Sequence, residues 1–149
     1  MGTAIVGLLG VVVGVLLGGG VQLLVARQER KAQSKRAARL LFLDSQLCLQ
    51  AVELLQGGDR RWYPPTTPAL DGWRKHREAL AGAMEGRSFQ TVDSAFSAVA
   101  RLDAFIEYND DLQDFELSAE DAAQQLREAS KFLLAEGFSD EERQRIERA

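Results

Sequence analysis

Residues Thr3 to Ala26 carry no charged side chain, and this run of 24 residues constrains the chain more than any other feature. Fourteen of the 24 are Val, Ile or Leu, six are Gly and two are Ala, with Thr3 and Gln22 completing the run. Coiled as a helix it would reach about 36 Å at 1.5 Å per residue, against about 30 Å of bilayer hydrocarbon. A helix also satisfies its own backbone polar groups, which lipid cannot do. Residues 1–26 are therefore read as a transmembrane helix. A cleaved signal peptide fits less well. No Lys or Arg precedes the run, no small-x-small site closes it, and its length exceeds the roughly 7–15 residues of a signal core. A helix buried in a soluble core fits poorly too, since a chain of 149 residues offers little to surround 24 uncharged positions. Val6 stands where a myristoylation motif needs Ser or Thr.

The flanks set the orientation. Residues 27–39 contain six bases, Arg27, Arg30, Lys31, Lys35, Arg36 and Arg39, and one acid, Glu29. Bases beside a span stay on the cytoplasmic side. The N-terminus is thus expected outside the plasma membrane, with residues 27–149 cytoplasmic. A lone Cys48 agrees with a reducing compartment. The basic stretch has no Gly or Pro and is rich in Ala, Arg, Lys and Gln, so it reads as a helical stalk over 27–39. Its six bases are the candidate contacts to anionic lipid headgroups, each adding roughly 1 kcal/mol of attraction. The simpler reading of the same bases is a topology signal and nothing more.

Within the span, Gly10, Gly14 and Gly18 repeat at four-residue spacing, and Gln22 and Ala26 continue the register. Residues four apart share a helix face. A glycine face lets a second backbone approach closely, and Gln22 can hydrogen-bond across the contact. Gly10, Gly14, Gly18 and Gln22 are the candidate oligomerisation residues, weighed against the general abundance of Gly in membrane spans. The triplet Gly18-Gly19-Gly20 favours a bend near residue 19.

From Leu40 onward the pattern becomes amphipathic. Leu40, Leu43, Leu47, Ala51 and Leu54 follow steps of three and four, and Leu41, Cys48, Val52 and Leu55 widen the stripe into a buried face. Gly57-Gly58 ends this helix. Thr67 caps a second one, with Pro68 in its first turn and Leu70, Trp73, Leu80 and Met84 as its apolar marks, and Gly86 stops it. Ser88 caps a third, marked by Phe89, Val92, Phe96, Val99, Leu102 and Ile106. Ser118 and Asp121 read as the capping box of a fourth, marked by Ala122, Leu126, Ala129, Leu133 and Leu134 and closed by Gly137. Ser139 and Glu142 form another capping box, opening a short polar helix whose large apolar residue is Ile146. No segment alternates with period two. The expected fold is all-α: one transmembrane helix continuing into a cytoplasmic up-down bundle of about four helices. The expected divisions are 1–26 span, 27–39 stalk, 40–136 bundle and 137–149 C-terminal helix. This layout and the Ala-, Arg-, Leu- and Gly-heavy composition resemble small single-span membrane proteins of GC-rich bacteria. That likeness covers no motif and carries no functional residue across.

Charge and residue counts exclude several chemistries. Beyond residue 39 the chain holds 12 bases and 21 acids, so nucleic acid is not an expected partner. One Cys excludes an intrachain disulfide and a thiol-rich metal site, and one His excludes a multi-His metal site. His76 lies in Trp73-Arg74-Lys75-His76-Arg77, where the bases read as a solvated face. Eight acids between Asp103 and Asp121 lack the ligand alternation and central Gly of an EF-hand loop. No P-loop, GxGxxG, GxSxG, HExxH or CxxC occurs. A non-enzymatic protein with no catalytic residue, cofactor or metal is expected.

The surface expected to meet an unidentified protein partner combines Arg60, Arg61, Trp62 and Tyr63 with Asp110, Asp111 and Asp114, because aromatics and Arg are favoured as anchors. The leading function is a membrane-anchored scaffold or interaction module that forms a homo-oligomer. The alternatives are a holin-like pore-former, or a stalk-like accessory subunit of a larger membrane complex.

Overall fold

The computed structural model describes residues 2–56, 66–108 and 112–148. The side chains of 2–20, 56, 66–68, 105–108 and 112–116 fall outside that description. Among the described residues there are five helices and no strand. They are α1 (Gly2–Gln56), α2 (Thr66–Ala81), α3 (Gly86–Tyr108), α4 (Leu112–Gly137) and α5 (Asp140–Glu147). The chain divides into two compact units, Met1–Gln33 and Ser34–Ala149.

The first unit is helical from Gly2. Among the described residues, no helix is long and apolar enough to cross a membrane, and Val21–Ala26 is the part of the uncharged run whose side chains are described.

The second unit is a helical bundle. Contacts run in opposite order along α1 and α4: Ser34 meets Glu136, Ser45 meets Ser130 and Glu53 meets Arg127. They run in opposite order along α2 and α3 as well, where Trp73 stacks on Phe96 and Arg77 pairs with Asp93. This is the arrangement of an up-down bundle. Its core holds Leu41, Cys48 and Val52 of α1, Leu70, Trp73 and Leu80 of α2, Val92, Phe96, Val99 and Leu102 of α3, and Leu126 and Leu133 of α4. Among the described side chains, the expected marks Leu70, Trp73, Leu80, Val92, Phe96, Val99, Leu102, Ala122, Leu126, Ala129 and Leu133 are buried as their spacing requires, while Met84 lies beyond α2, which ends at Ala81 rather than at Gly86.

Helix α1 differs from its sequence reading. Leu40, Leu43, Leu47 and Leu54, expected to lead the buried stripe, are exposed. The buried face is Ser34, Ala38, Leu41, Ser45, Cys48 and Val52, again at steps of three and four. The reason lies in side-chain size. Where α1 meets α4 the residues in contact are small: Ser45 Oγ lies 2.9 Å from Ser130 Oγ, and Ala38 and the Arg39 backbone lie against Gly137. The bundle also begins earlier than residue 40, because Ser34, Ala37 and Ala38 from the basic stretch are buried within it.

Three helix starts fall earlier than expected: α2 begins at Thr66, so Thr67 lies inside it rather than capping it. α3 begins at Gly86, which leaves Ser88 inside its first turn, and α4 begins at Leu112, which leaves Ser118 and Asp121 inside the helix. Ser139 does cap α5: its side chain accepts from the Glu142 N–H, and the Glu142 carboxylate accepts from the Ser139 N–H. Gly137 does not act as a left-handed stop. It closes α4 in ordinary backbone, and a Cβ there would come within 3.1 Å of the Arg39 backbone N and 3.2 Å of the Ala38 Cβ. Close approach of α1 is what calls for glycine at this position.

Candidate functional site

In the first unit, Gly10, Gly14 and Gly18 lie within α1, on residues whose surroundings fall outside the description. Gln22 is exposed. Val21, Leu23, Leu24 and Val25 are all exposed, and at 100° per residue they point to different sides of the helix. The bases follow at once. Arg27, Arg30 and Lys31 are exposed, as are Lys35, Arg36 and Arg39 in the second unit.

Arg39 is the base with built contacts. Its Nε–H donates to the Gly137 carbonyl at 2.8 Å, and its Nη2 donates to both Glu142 carboxylate oxygens at 2.9 and 2.8 Å. The guanidinium also lies 5.0 Å from the Phe138 ring centroid, and Phe138 meets Phe42 edge-on at 5.5 Å. The end of the basic stretch is thereby clamped to the α4–α5 corner. The Glu142 carboxyl sits below its ordinary pKa, chiefly because the Ser139 N–H donates to it, with Ser139 Oγ and the Arg39 charge adding to the effect. A step earlier on α1, the Ser34 hydroxyl donates to Glu136 Oε1 at 2.9 Å.

Polar groups continue along the α1–α4 contact. Ser45 Oγ and Ser130 Oγ lie 2.9 Å apart. Each hydroxyl has one proton to give: Ser45 Oγ reaches the Phe42 carbonyl as well as Ser130 Oγ, Ser130 Oγ reaches the Leu126 carbonyl as well as Ser45 Oγ, and Gln46 Nε2 donates to Ser130 Oγ. These hydroxyls satisfy one another inside the interface, as buried polar groups must. The sequence reading did not single them out; the signal for them was the Ser34–Ala38–Leu41–Ser45–Cys48–Val52 spacing itself.

The cluster containing the His divides between core and surface. Trp73 is buried, stacked on Phe96 with ring centroids 5.0 Å apart and planes 3° from parallel. Arg77 lies 6.0 Å from the Trp73 and Phe89 rings and pairs with Asp93. Arg74 pairs with Asp71, and Lys75 is exposed. His76 is half-buried near Asp44. Burial raises the Asp44 pKa, and the His76 charge acts against that rise.

Cys48 is buried, and its thiol is pushed up to about 12, first by burial and then by the Asp44 and Asp103 charges. Such a thiol is a packing group rather than a nucleophile. Among the described residues no three His, Cys, Asp or Glu side chains converge as metal ligands do. A cleft of about 170 Å³ between α3 and α4 is lined by Ala98, Arg101, Leu102, Ser118 and Asp121. It is smaller than the roughly 300–1,000 Å³ of small-molecule sites. Of the expected partner surface, Arg60, Arg61, Trp62, Tyr63, Asp110 and Asp111 lie outside the described residues, and Asp114 lies in α4 with its side chain outside them.

No protein-family model, curated protein or solved structure matches the chain.

Proposed function

We propose that the chain is a single-pass, membrane-anchored helical interaction module. Its N-terminus would lie outside the plasma membrane and its bundle in the cytoplasm, with copies associating through Gly10, Gly14, Gly18 and Gln22. One observation carries this reading. Val21, Leu23, Leu24 and Val25 are exposed around the helix, and the exposed bases Arg27, Arg30 and Lys31 follow directly. A helix that turns large apolar residues to several sides is suited to an apolar surrounding, and bases at its end mark the cytoplasmic boundary.

Lys35 and Arg36 extend the basic surface toward anionic headgroups, whereas Arg39 turns its Nε and Nη2 to the α4–α5 corner. The bundle supplies rigid helical faces and no catalytic constellation among the described residues, which favours recruitment over chemistry.

The test is purification of the full-length protein from native membranes in mild detergent, followed by mass determination of the intact particle. A multiple of 16.4 kDa that falls to a single copy with Gly14→Leu supports the reading. Retained assembly by Gly14→Leu contradicts the glycine contact. Stoichiometric foreign chains in the particle would make the protein an anchoring subunit instead.

A further inference from the structure

Within the second unit, α1 is apolar on two opposite faces. The Ser34–Val52 face is buried in the bundle. Opposite it, Leu40, Leu43, Leu47 and Leu54 are 49%, 57%, 52% and 66% exposed. At 100° per residue the four fall within a sector about 60° wide. Leu40, Leu47 and Leu54 are spaced by sevens, and Leu43 lies between the first two at the three-four step. That is the seam of a coiled coil, in which each leucine seats among residues of a like helix.

We propose that this seam docks a second copy of the chain in parallel, with Leu40, Leu43, Leu47 and Leu54 of each copy facing their counterparts.

Charge complementarity selects a second copy. In a parallel pair, the residue before the first seam leucine faces the residue five positions later on the other helix. Here those residues are Arg39 and Asp44, of opposite charge. Two copies therefore supply two such pairs by symmetry. Arg39 engages Gly137 and Glu142 through Nε and Nη2, and neither contact uses Nη1. Asp44 lies at the α2 edge of the seam, half-buried, with Oδ2 beside Gly72.

The size of the seam sets the conditions under which it pairs. From Leu40 to Leu54 it is about 21 Å long, and at about 10 Å wide it covers roughly 200 Å². A free-standing dimer needs about 800 Å² per partner. The seam therefore pairs copies that are already held together, where tethering lifts the effective concentration toward roughly the millimolar range. In this respect the inference rests on the membrane-anchored reading, which also fixes the parallel orientation.

The experiment introduces Leu40→Cys, Leu54→Cys or Lys75→Cys singly into the full-length chain in native membranes. Each sample is oxidised with copper phenanthroline and scored on non-reducing gels, and a parallel aliquot is washed at high pH to score membrane retention. Leu40 and Leu54 are exposed and outside the core, so the substitutions leave the core intact, and Cys48 is buried. Disulfide dimers at both Leu40→Cys and Leu54→Cys, about tenfold above Lys75→Cys, are expected. Dimer levels equal to Lys75→Cys in membranes that retain the chain overturn the seam. Cross-linking that requires mixing Leu40→Cys with Leu54→Cys overturns the parallel arrangement. Cross-linking of a chain that the wash releases supports the seam and contradicts the anchor.

Discussion

Arg39 reaches across the α1–α4 corner to donate its Nε–H to the Gly137 carbonyl at 2.8 Å, while its own backbone N stands 3.1 Å from where a Gly137 Cβ would be. One residue thus holds the end of α4 with its side chain and forbids a side chain there with its main chain. The base is the last of the basic stretch, so the contact joins the end of that stretch to the C-terminal end of the bundle.

Glycine substitutions should therefore split by location. Gly137→Ala must push aside Ala38 and the Arg39 main chain, and overpacking of this kind costs roughly 1–3 kcal/mol. Gly86→Ala meets nothing within 4 Å and restricts the unfolded chain, so it should stabilise by about 0.4–1 kcal/mol. Thermal melts of the full-length protein in mild detergent, followed by circular dichroism, read both signs.

The aromatic stack at the α2–α3 contact holds Phe96, the largest fully buried side chain among the described residues. Phe96 is 1% exposed and lies flat on Trp73. Phe96→Ala should cost about 3–5 kcal/mol, a large share of the stability of a domain this size. A loss below about 1 kcal/mol in the same melts would contradict the placement of Phe96 at the centre of the core.

Ser45 and Ser130 should behave as a coupled pair. Ser45→Ala removes a contact to Ser130 Oγ and one to the Phe42 carbonyl, for about 1 kcal/mol. In Ser130→Ala, Gln46 Nε2 and Ser45 Oγ lose a shared partner. The double variant should cost less than the sum of the two singles by at least about 0.5 kcal/mol. Strict additivity would mean that the hydroxyls do not meet.

Cys48 makes the bundle sensitive to alkali. Its thiol holds its proton up to about 12 when folded, against an ordinary value near 9.0. The unfolded chain sheds that proton first, so the contribution is intact below pH 9.0 and is lost as pH rises toward about 12. The slope approaches about 1.4 kcal/mol per pH unit in that window. Cys48→Ala should flatten the slope even though it lowers stability at neutral pH. Alkylation of Cys48 in the native protein should follow the rate of unfolding.

Much of the bundle was legible because Val92, Phe96, Val99 and Leu102 on α3, and Leu126 and Leu133 on α4, each lie on one apolar side of an otherwise polar helix. Helix α1 defeated the same reasoning. It carries two stripes with the same three-four spacing, and the stripe of larger residues is the exposed one. Leucine outranks Ser and Ala in burial tendency, yet the α1 contacts to Ser130 and Gly137 are made from the smaller face. Caps misled where Ser88 and Ser118 could have opened helices that begin at Gly86 and Leu112. A hydroxyl capable of capping carries no information about whether the helix already runs through it. The Arg39 clamp was hidden because nothing local relates residue 39 to residues 137 and 142. The glycine repeat is legible in sequence at four-residue spacing, and the surroundings of Gly10, Gly14 and Gly18 lie outside the described residues.

The claim on which the account turns is that the uncharged run anchors the chain with its bundle inside. Alkaline carbonate extraction of native membranes containing the full-length protein, paired with protease added outside intact cells, tests it most directly. The account predicts that the chain stays with the membrane pellet and that residues 34–149 survive the protease until the cells are opened. Release of the chain into the alkaline supernatant, or digestion of the bundle on intact cells, would contradict it.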